Sequence, residues 1–113
     1  MKFPRLLTIA APAALIAGCA HPAPPAAPYH AVSNQGWHLV IDDKHVTFLA
    51  GGGQAPILQP RPQPVIGVAG EIYQTQRINV NIVHASCAAA GRTYPDRVQV
   101  YVDGVLRNGC GGL

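Results

Sequence analysis

Beyond residue 36 the chain alternates between apolar and polar side chains with a period of two. Residues 36–41, 78–82 and 97–102 place apolar side chains at every second position, and residues 44–50 follow the first of these segments after two aspartates. A period of two directs alternate side chains to opposite faces of a β-strand. An amphipathic helix needs an apolar period near 3.6, and no segment after residue 18 shows one. We therefore predict an all-β fold.

Turn residues separate the predicted strands. Asp103-Gly104 is a two-residue turn of the type that needs positive φ, and three consecutive glycines at 51–53 end the first hairpin. Residues 54–64 contain four prolines. We expect a long loop or an edge crossing there, because proline donates no hydrogen bond to a neighbouring strand. The pattern predicts five or six strands in a small antiparallel barrel or sandwich.

The N-terminus has the order of features found in secretory signals. Lys2 and Arg5 precede an apolar stretch over residues 6–18, which is shorter than the ~20 residues that span a bilayer. The stretch ends in Leu-Ile-Ala-Gly-Cys and resembles the lipobox of bacterial lipoproteins, in which a peptidase cuts before a cysteine that is then acylated. The resemblance implies a signal helix over residues 1–18, cleavage between Gly18 and Cys19, and lipidation of Cys19. The alternative is an ordinary signal peptide that contains a cysteine.

Lipidation of Cys19 would attach the protein to a lipid bilayer, because several acyl chains together anchor a protein stably. Ala20 follows the cysteine, which resembles the default sorting signal of Gram-negative lipoproteins. We therefore expect an outer-membrane lipoprotein that faces the periplasm. Residues 19–35 are rich in alanine and proline and are predicted to form a disordered tether. The β domain is predicted to cover residues 36–113.

The net charge of +3 is largely a property of the signal region. Loss of Lys2 and Arg5 with the signal leaves six basic and five acidic side chains. A nearly neutral chain lacks the basic patch on which electrostatic binding of nucleic acid depends. We expect no nucleic-acid partner.

The chain has three cysteines. If Cys19 is acylated, Cys87 and Cys110 remain as a pair in an oxidising compartment, where disulfides form and persist. A domain of about 75 residues has a marginal core, so a covalent link is expected. We predict a Cys87–Cys110 disulfide. The alternative is a metal site formed by these cysteines and His84.

The residue pattern gives little support to catalysis. Ser86 and His84 share a face of the same predicted strand, but no carboxylate is placed to orient the histidine, as an activated nucleophile requires. Asp42 and Asp43 lie between two strands, where aspartate favours a turn by bonding its own backbone. We predict a protein that is not an enzyme and carries no cofactor.

Histidines offer two further hypotheses for metal binding. His38 and His45 flank the Asp42-Asp43 turn and would form a surface site if they met across the hairpin. His21 and His30 lie in the predicted tether, where we interpret them as solvated spacer residues. We expect no metal at either pair.

The C-terminal block carries a resemblance of its own. Residues 84–95, 98–104 and 107–111 contain a cysteine, a stretch of small residues, an Arg-Thr-Tyr-Pro run, an alternating strand and a Gly-Cys-Gly end. This combination, together with Trp37 and the strand that follows it, resembles a family of small uncharacterised bacterial envelope lipoproteins. The family usually has serine and aspartate after the first cysteine, where this chain has three alanines. The family implies no specific activity.

A looser resemblance links residues 88–94 to the small β-barrel lipoproteins that inhibit c-type lysozyme. Those proteins insert a loop that ends in a basic residue and a tyrosine into the lysozyme cleft. The resemblance implies a binding loop in which Arg92 and Tyr94 contact the enzyme, with Arg92 meeting its catalytic carboxylates. The alternative is a plain connection between strands. We expect a non-catalytic structural or binding module, with an envelope protein or lysozyme as its partner. The remaining alternative is a metal-binding or enzymatic envelope protein.

Overall fold

The computed structural model describes residues 27–113, which contain eleven β-strands and no α-helix. The all-β prediction is confirmed, but the count of five or six strands is too low. Within the described residues no helix is long and apolar enough to cross a bilayer. The strands are β1 Tyr29–Val32, β2 His38–Ile41, β3 His45–Leu49, β4 Ile57–Pro60, β5 Val65–Ile66, β6 Gly70–Gln74, β7 Ile78–Val83, β8 Cys87–Ala89, β9 Arg92–Tyr94, β10 Asp96–Val102 and β11 Val105–Gly111.

Nine of these strands form one antiparallel sheet in the order β4-β3-β2-β1-β11-β10-β7-β6-β5. The sheet curls into a half-barrel, with its core on the concave face. The other two strands, β8 and β9, pair only with each other and form a small second sheet. The longest pairing joins β10 and β11 over seven residue pairs. These two strands stand in the middle of the strand order, so the C-terminal hairpin lies near the centre of the large sheet.

Alternation along the strands determines which side chains form the core. β10 alternates buried and exposed residues over its whole length, and β7 buries Ile78, Val80 and Ile82 as the sequence predicts. Removing such side chains from water is the main favourable contribution to folding. The core also contains an aromatic pair, Trp37 and Phe48, with ring centroids 5.7 Å apart.

Turn chemistry agrees with the predictions. Asp103 and Gly104 both have positive φ, at 49° and 83°, and they join β10 to β11. The proline-rich segment contributes β4, which lies at an edge of the sheet and ends at Pro60. An edge position leaves one side of the strand without a partner, so the missing amide hydrogen of proline costs little there.

The tether predicted over residues 19–35 is wrong at its C-terminal end. Residues 29–32 form β1, which pairs with β2 on one side and β11 on the other. His30 therefore belongs to the sheet and is not a solvated spacer residue. The β domain begins before Gly36, because Ala31 fills a fully buried core position that the proline-rich composition of its neighbours conceals. The predicted signal, Gly18, Cys19 and His21 lie outside the described residues.

Candidate functional site

The β8–β9 hairpin is attached to the convex face of the large sheet by a disulfide. Cys87 in β8 is bonded to Cys110 in β11, with their Cα atoms 5.6 Å apart, which confirms the predicted pair. Ala89, Tyr94 and Cys110 form a small buried cluster beneath the hairpin, separate from the main core. The covalent bond and this cluster together hold the hairpin against β11.

The hairpin turns tightly at Ala90 and Gly91. Both residues have positive φ, 50° and 75°, as a two-residue turn of this type requires. The amide of Ala90 donates a hydrogen bond to Oδ1 of Asn34, 2.7 Å away, which ties the turn to the segment between β1 and β2. The turn is therefore fixed at both ends and exposes Arg92 beside its tip.

Two clefts flank the base of the hairpin. The larger, about 440 Å³, lies over β10 and β11 and is lined by Arg97, Gln99 and Asn108 together with apolar residues and the disulfide. The smaller, about 290 Å³, lies on the Asn34 side. Asn108 and the disulfide line both clefts, so the two form neighbouring parts of one concave region.

Side-chain amides continue from the clefts across the convex face. Asn81, Gln99 and Asn108 are successive cross-strand neighbours on β7, β10 and β11. Asn79 lies opposite Tyr101 in the next row, beside a depression of about 290 Å³. The chain has four asparagines, and each of them lines one of these three concave regions. We call this surface the amide face.

The amide face is almost uncharged. Among residues 27–113, Arg97 is the single charged residue that lines its three concave regions, and none of the five acidic side chains, all of which lie in this range, lines them. Each amide group offers two donors and an acceptor, and Tyr101, 44% exposed, adds an aromatic ring. Such a surface can hydrogen-bond a neutral polar ligand, and Arg97 can pair with one negative group on it.

A second cluster, of hydrogen-bonded polar side chains, surrounds His84 at one end of the half-barrel. Its Nδ1 lies 2.7 Å from Oδ1 of Asp96, and its Nε2 lies 3.0 Å from Oε2 of Glu71. The hydroxyl of Tyr29 donates to the other oxygen of Asp96 at 2.8 Å. The prediction that no carboxylate orients His84 is wrong, because strand pairing brings Asp96 and Glu71 to the ring.

These contacts explain the protonation states of the cluster. Hydrogen bonds to Asp96 and then to Glu71 raise the pKa of His84, because both favour the imidazolium form. Burial, followed by the hydrogen bond to Asp96, raises the pKa of Tyr29 far above its usual range, so the phenol keeps its proton.

The hydrogen bonds of the cluster connect the end of β7 with β6 and β10. Carboxylates occupy both ring nitrogens of His84, and within residues 27–113 no hydrogen bond joins Ser86 to the ring. The two nitrogens point in opposite directions, so Asp96 and Glu71 do not converge on one ion with His84. In the same part of the chain no group of three or more histidine, cysteine or acidic side chains is arranged to hold a metal ion.

His38 and His45 do not form the contact that a surface site across the first hairpin would require. His45 and His38 do not meet, because the β2–β3 register pairs His38 with Leu49. His38 instead contacts His30 of β1, with Nε2 and Nδ1 3.1 Å apart. Asp42 does form the predicted turn, since its Oδ1 accepts hydrogen bonds from the amides of the second and third residues that follow it.

Two aromatic residues that the sequence analysis singles out, Trp37 and Tyr94, are buried. Trp37 is 2% exposed in the main core, and Tyr94 is 8% exposed beneath the hairpin. Arg92 is exposed and lies over the Tyr94 ring at 5.8 Å. Of the residues predicted for the binding loop, Arg92 is available to a partner, whereas Tyr94 supports the hairpin.

Comparison with protein families, with curated proteins and with solved structures finds no match to this chain. The amide face is a candidate binding surface that sequence reasoning does not identify. A signal for it was present in the alternation, which puts Asn79 and Asn81 on the face opposite the core residues. Their cross-strand neighbours on β10 and β11 become apparent only once the strand register is known.

Proposed function

We propose that this protein is a non-catalytic binding module of the bacterial envelope, attached to the outer membrane through acylated Cys19. The observation that supports binding is the concave amide face beneath a hairpin that a disulfide holds in place. A fixed hairpin beside the polar amide face makes a preorganised site, because little conformational entropy is lost when a ligand binds. The N-terminal pattern Leu-Ile-Ala-Gly-Cys supports the anchor.

The ligand of this module is a glycan with N-acetylated sugars, such as the glycan strand of peptidoglycan. Asn81, Gln99 and Asn108 provide donors and acceptors that match hydroxyl and acetamido groups. Tyr101 provides an exposed ring on which the apolar face of a sugar can pack. Arg97 at one end fits a carboxylate attached to the glycan.

Titration of the purified protein with N-acetylglucosamine oligomers tests this function. We expect saturable binding, with NMR shift changes confined to the amide face, and sedimentation of the protein with isolated peptidoglycan. The double variant Gln99→Ala/Tyr101→Ala should bind the oligomers and isolated peptidoglycan at least tenfold more weakly. Gln54→Ala, at an exposed position away from the clefts, should change neither affinity. Equal binding by the wild type and the double variant would contradict the proposal.

Inhibition of c-type lysozyme is the second candidate function. Its support is Arg92, an exposed cation beside the tip of a stapled hairpin, where it can reach into an acidic cleft. The purified protein should then slow lysozyme, and Arg92→Ala should abolish the effect while Arg61→Ala, also at an exposed arginine, preserves it. Absence of inhibition by the wild-type protein ends this candidate without affecting glycan binding.

Membrane attachment has a separate test. Cys19→Ser should leave a precursor that is neither cleaved nor acylated, and metabolic labelling with a fatty acid should mark only the wild type. Normal maturation of the variant would refute lipidation while leaving the binding proposals in place.

A further inference from the structure

Two histidines on neighbouring strands point their ring nitrogens at each other on the convex face. The β1–β2 register pairs His30 with Val40 and Val32 with His38, so the two histidines are diagonal neighbours. Nδ1 of His30 lies 3.1 Å from Nε2 of His38. The ring centroids are 5.3 Å apart and the ring planes are inclined at 37°. Both nitrogens are thus directed at the space between the rings.

This spacing is close to the one that a shared metal ion imposes. Two imidazole nitrogens at ~2.0–2.1 Å from one ion and 3.1 Å apart subtend an angle of roughly 100° at that ion. That angle lies between the ~90° of square-planar and the ~109° of tetrahedral coordination. The ion would lie beside the line that joins the two nitrogens, so both rings turn outward, by roughly 40° from a linear hydrogen bond, when it replaces the shared hydrogen.

The surroundings keep both rings available as ligands. Val32 and Val40 flank them as cross-strand neighbours, and in the described part of the chain neither ring is bonded to a carboxylate. The four-residue β1–β2 ladder also fixes the backbone positions of the two histidines relative to each other.

We propose that His30 and His38 form a surface site for one borderline transition-metal ion, Cu²⁺, Ni²⁺ or Zn²⁺. Imidazole suits these ions, and Cu²⁺ binds most tightly of the three for a given set of ligands. Two protein ligands leave coordination positions open to water or to an exogenous donor. The site is separate from the amide face and does not depend on glycan binding.

Calorimetric titration of the full chain with Cu²⁺, followed by electron paramagnetic resonance of the complex, tests the site. We expect one equivalent bound, with nitrogen hyperfine structure from two imidazoles. His30→Gln and His38→Gln should each weaken binding at least tenfold and remove one of the two nitrogen couplings. His45→Gln is the matched control, because this exposed histidine on β3 contacts no other histidine of the described residues, and it should bind as the wild type does.

A second measurement needs no variant and so does not depend on folding of the mutants. Substoichiometric Cu²⁺ added to the wild type should broaden the NMR signals of the His30 and His38 rings before those of His45 and His84. His21→Gln should leave that order unchanged. Binding that persists in the His30→Gln/His38→Gln double variant, or broadening that begins at another histidine, would overturn the assignment.

Discussion

Nδ1 of His84 lies 2.7 Å from Oδ1 of Asp96, twelve residues further along the chain. His84 directly follows β7 and Asp96 begins β10, and these two strands are neighbours in the large sheet. The contact therefore fastens the end of one strand to the start of the next at one end of the half-barrel. Asp96 is 5% exposed, so its carboxylate depends on such partners for hydrogen bonds that water cannot supply.

Stability should fall as the pH rises above neutrality. The folded state raises the pKa of His84, through Asp96 first and Glu71 second, above the unfolded value of about 6.5. A raised pKa gives stabilisation that is complete below the unfolded pKa and is lost as the pH rises through the folded one. The measurement is urea unfolding between pH 5 and pH 9.

His84→Gln serves as the comparison for this pH dependence. Its unfolding free energy should lack the decline above about pH 6.5. The lowered pKa of His38 acts in the opposite sense and below that pH, where stability is lost as the pH falls, so the two contributions separate. Parallel curves for the wild type and His84→Gln would show that the ring does not couple to its carboxylates.

Tyr29→Phe should lower the unfolding free energy by about 1–2 kcal/mol, because the Tyr29 hydroxyl donates to the buried carboxylate of Asp96. Loss of this donor leaves one carboxylate oxygen without its partner. Tyr101→Phe is the control, since the exposed Tyr101 ring loses only a solvent contact and its stability should be unchanged. Thermal unfolding of both variants measures the difference, and an equal melting temperature for the two would contradict the expectation.

Removal of the disulfide should cost roughly 3 kcal/mol, the chain-entropy value for a loop of this length. Cys87 and Cys110 are 23 residues apart in sequence, and their bond is the covalent attachment of the β8–β9 hairpin to the large sheet. Cys87→Ala/Cys110→Ala should unfold at a lower denaturant concentration than the oxidised wild type. Added reductant should bring the wild type to the level of the variant and leave the variant unchanged. A variant as stable as the oxidised wild type would mean that Ala89 and Tyr94 hold the hairpin alone.

Ala90→Gly should stabilise the protein by about 0.5–1 kcal/mol, although glycine usually weakens regular structure. Ala90 has a φ of 50°, which is strained for a residue with a Cβ and unstrained for glycine. Ala88→Gly, two positions earlier in β8, is the matched control and should destabilise, because no strain is relieved there. Differential scanning calorimetry should rank Ala90→Gly above the wild type and Ala88→Gly below it, and the reverse order would contradict this account.

Much of the fold could be predicted from local patterns. Ile78, Val80 and Ile82 alternate along a strand, Asp103-Gly104 supplies a turn with positive φ, and the proline-rich segment was restricted to an edge. The disulfide followed from cysteine counting. β1 is hard to predict for two reasons. Proline and alanine dominate the residues before it, and its four residues are too few to show a clear alternation.

The candidate sites were harder to predict. His84 can be singled out from the sequence, but its partner Asp96 lies on β10, and the β8–β9 hairpin separates this strand from β7 in the chain. The contact between His30 and His38 cannot be predicted from the sequence, because it depends on the β1–β2 register. The amide face also needs four strands, β6, β7, β10 and β11, to lie side by side.

The sequence by itself determined the strand periodicity, the turns, the apolar face of each strand and the cysteines available for a bond. These are local properties, since they depend on backbone sterics and on the identity of residues a few positions apart. Only the tertiary structure decided which strands are neighbours and in what register. That choice depends on the burial of the whole core at once, and it brings Tyr29 to Asp96 across 67 residues of chain.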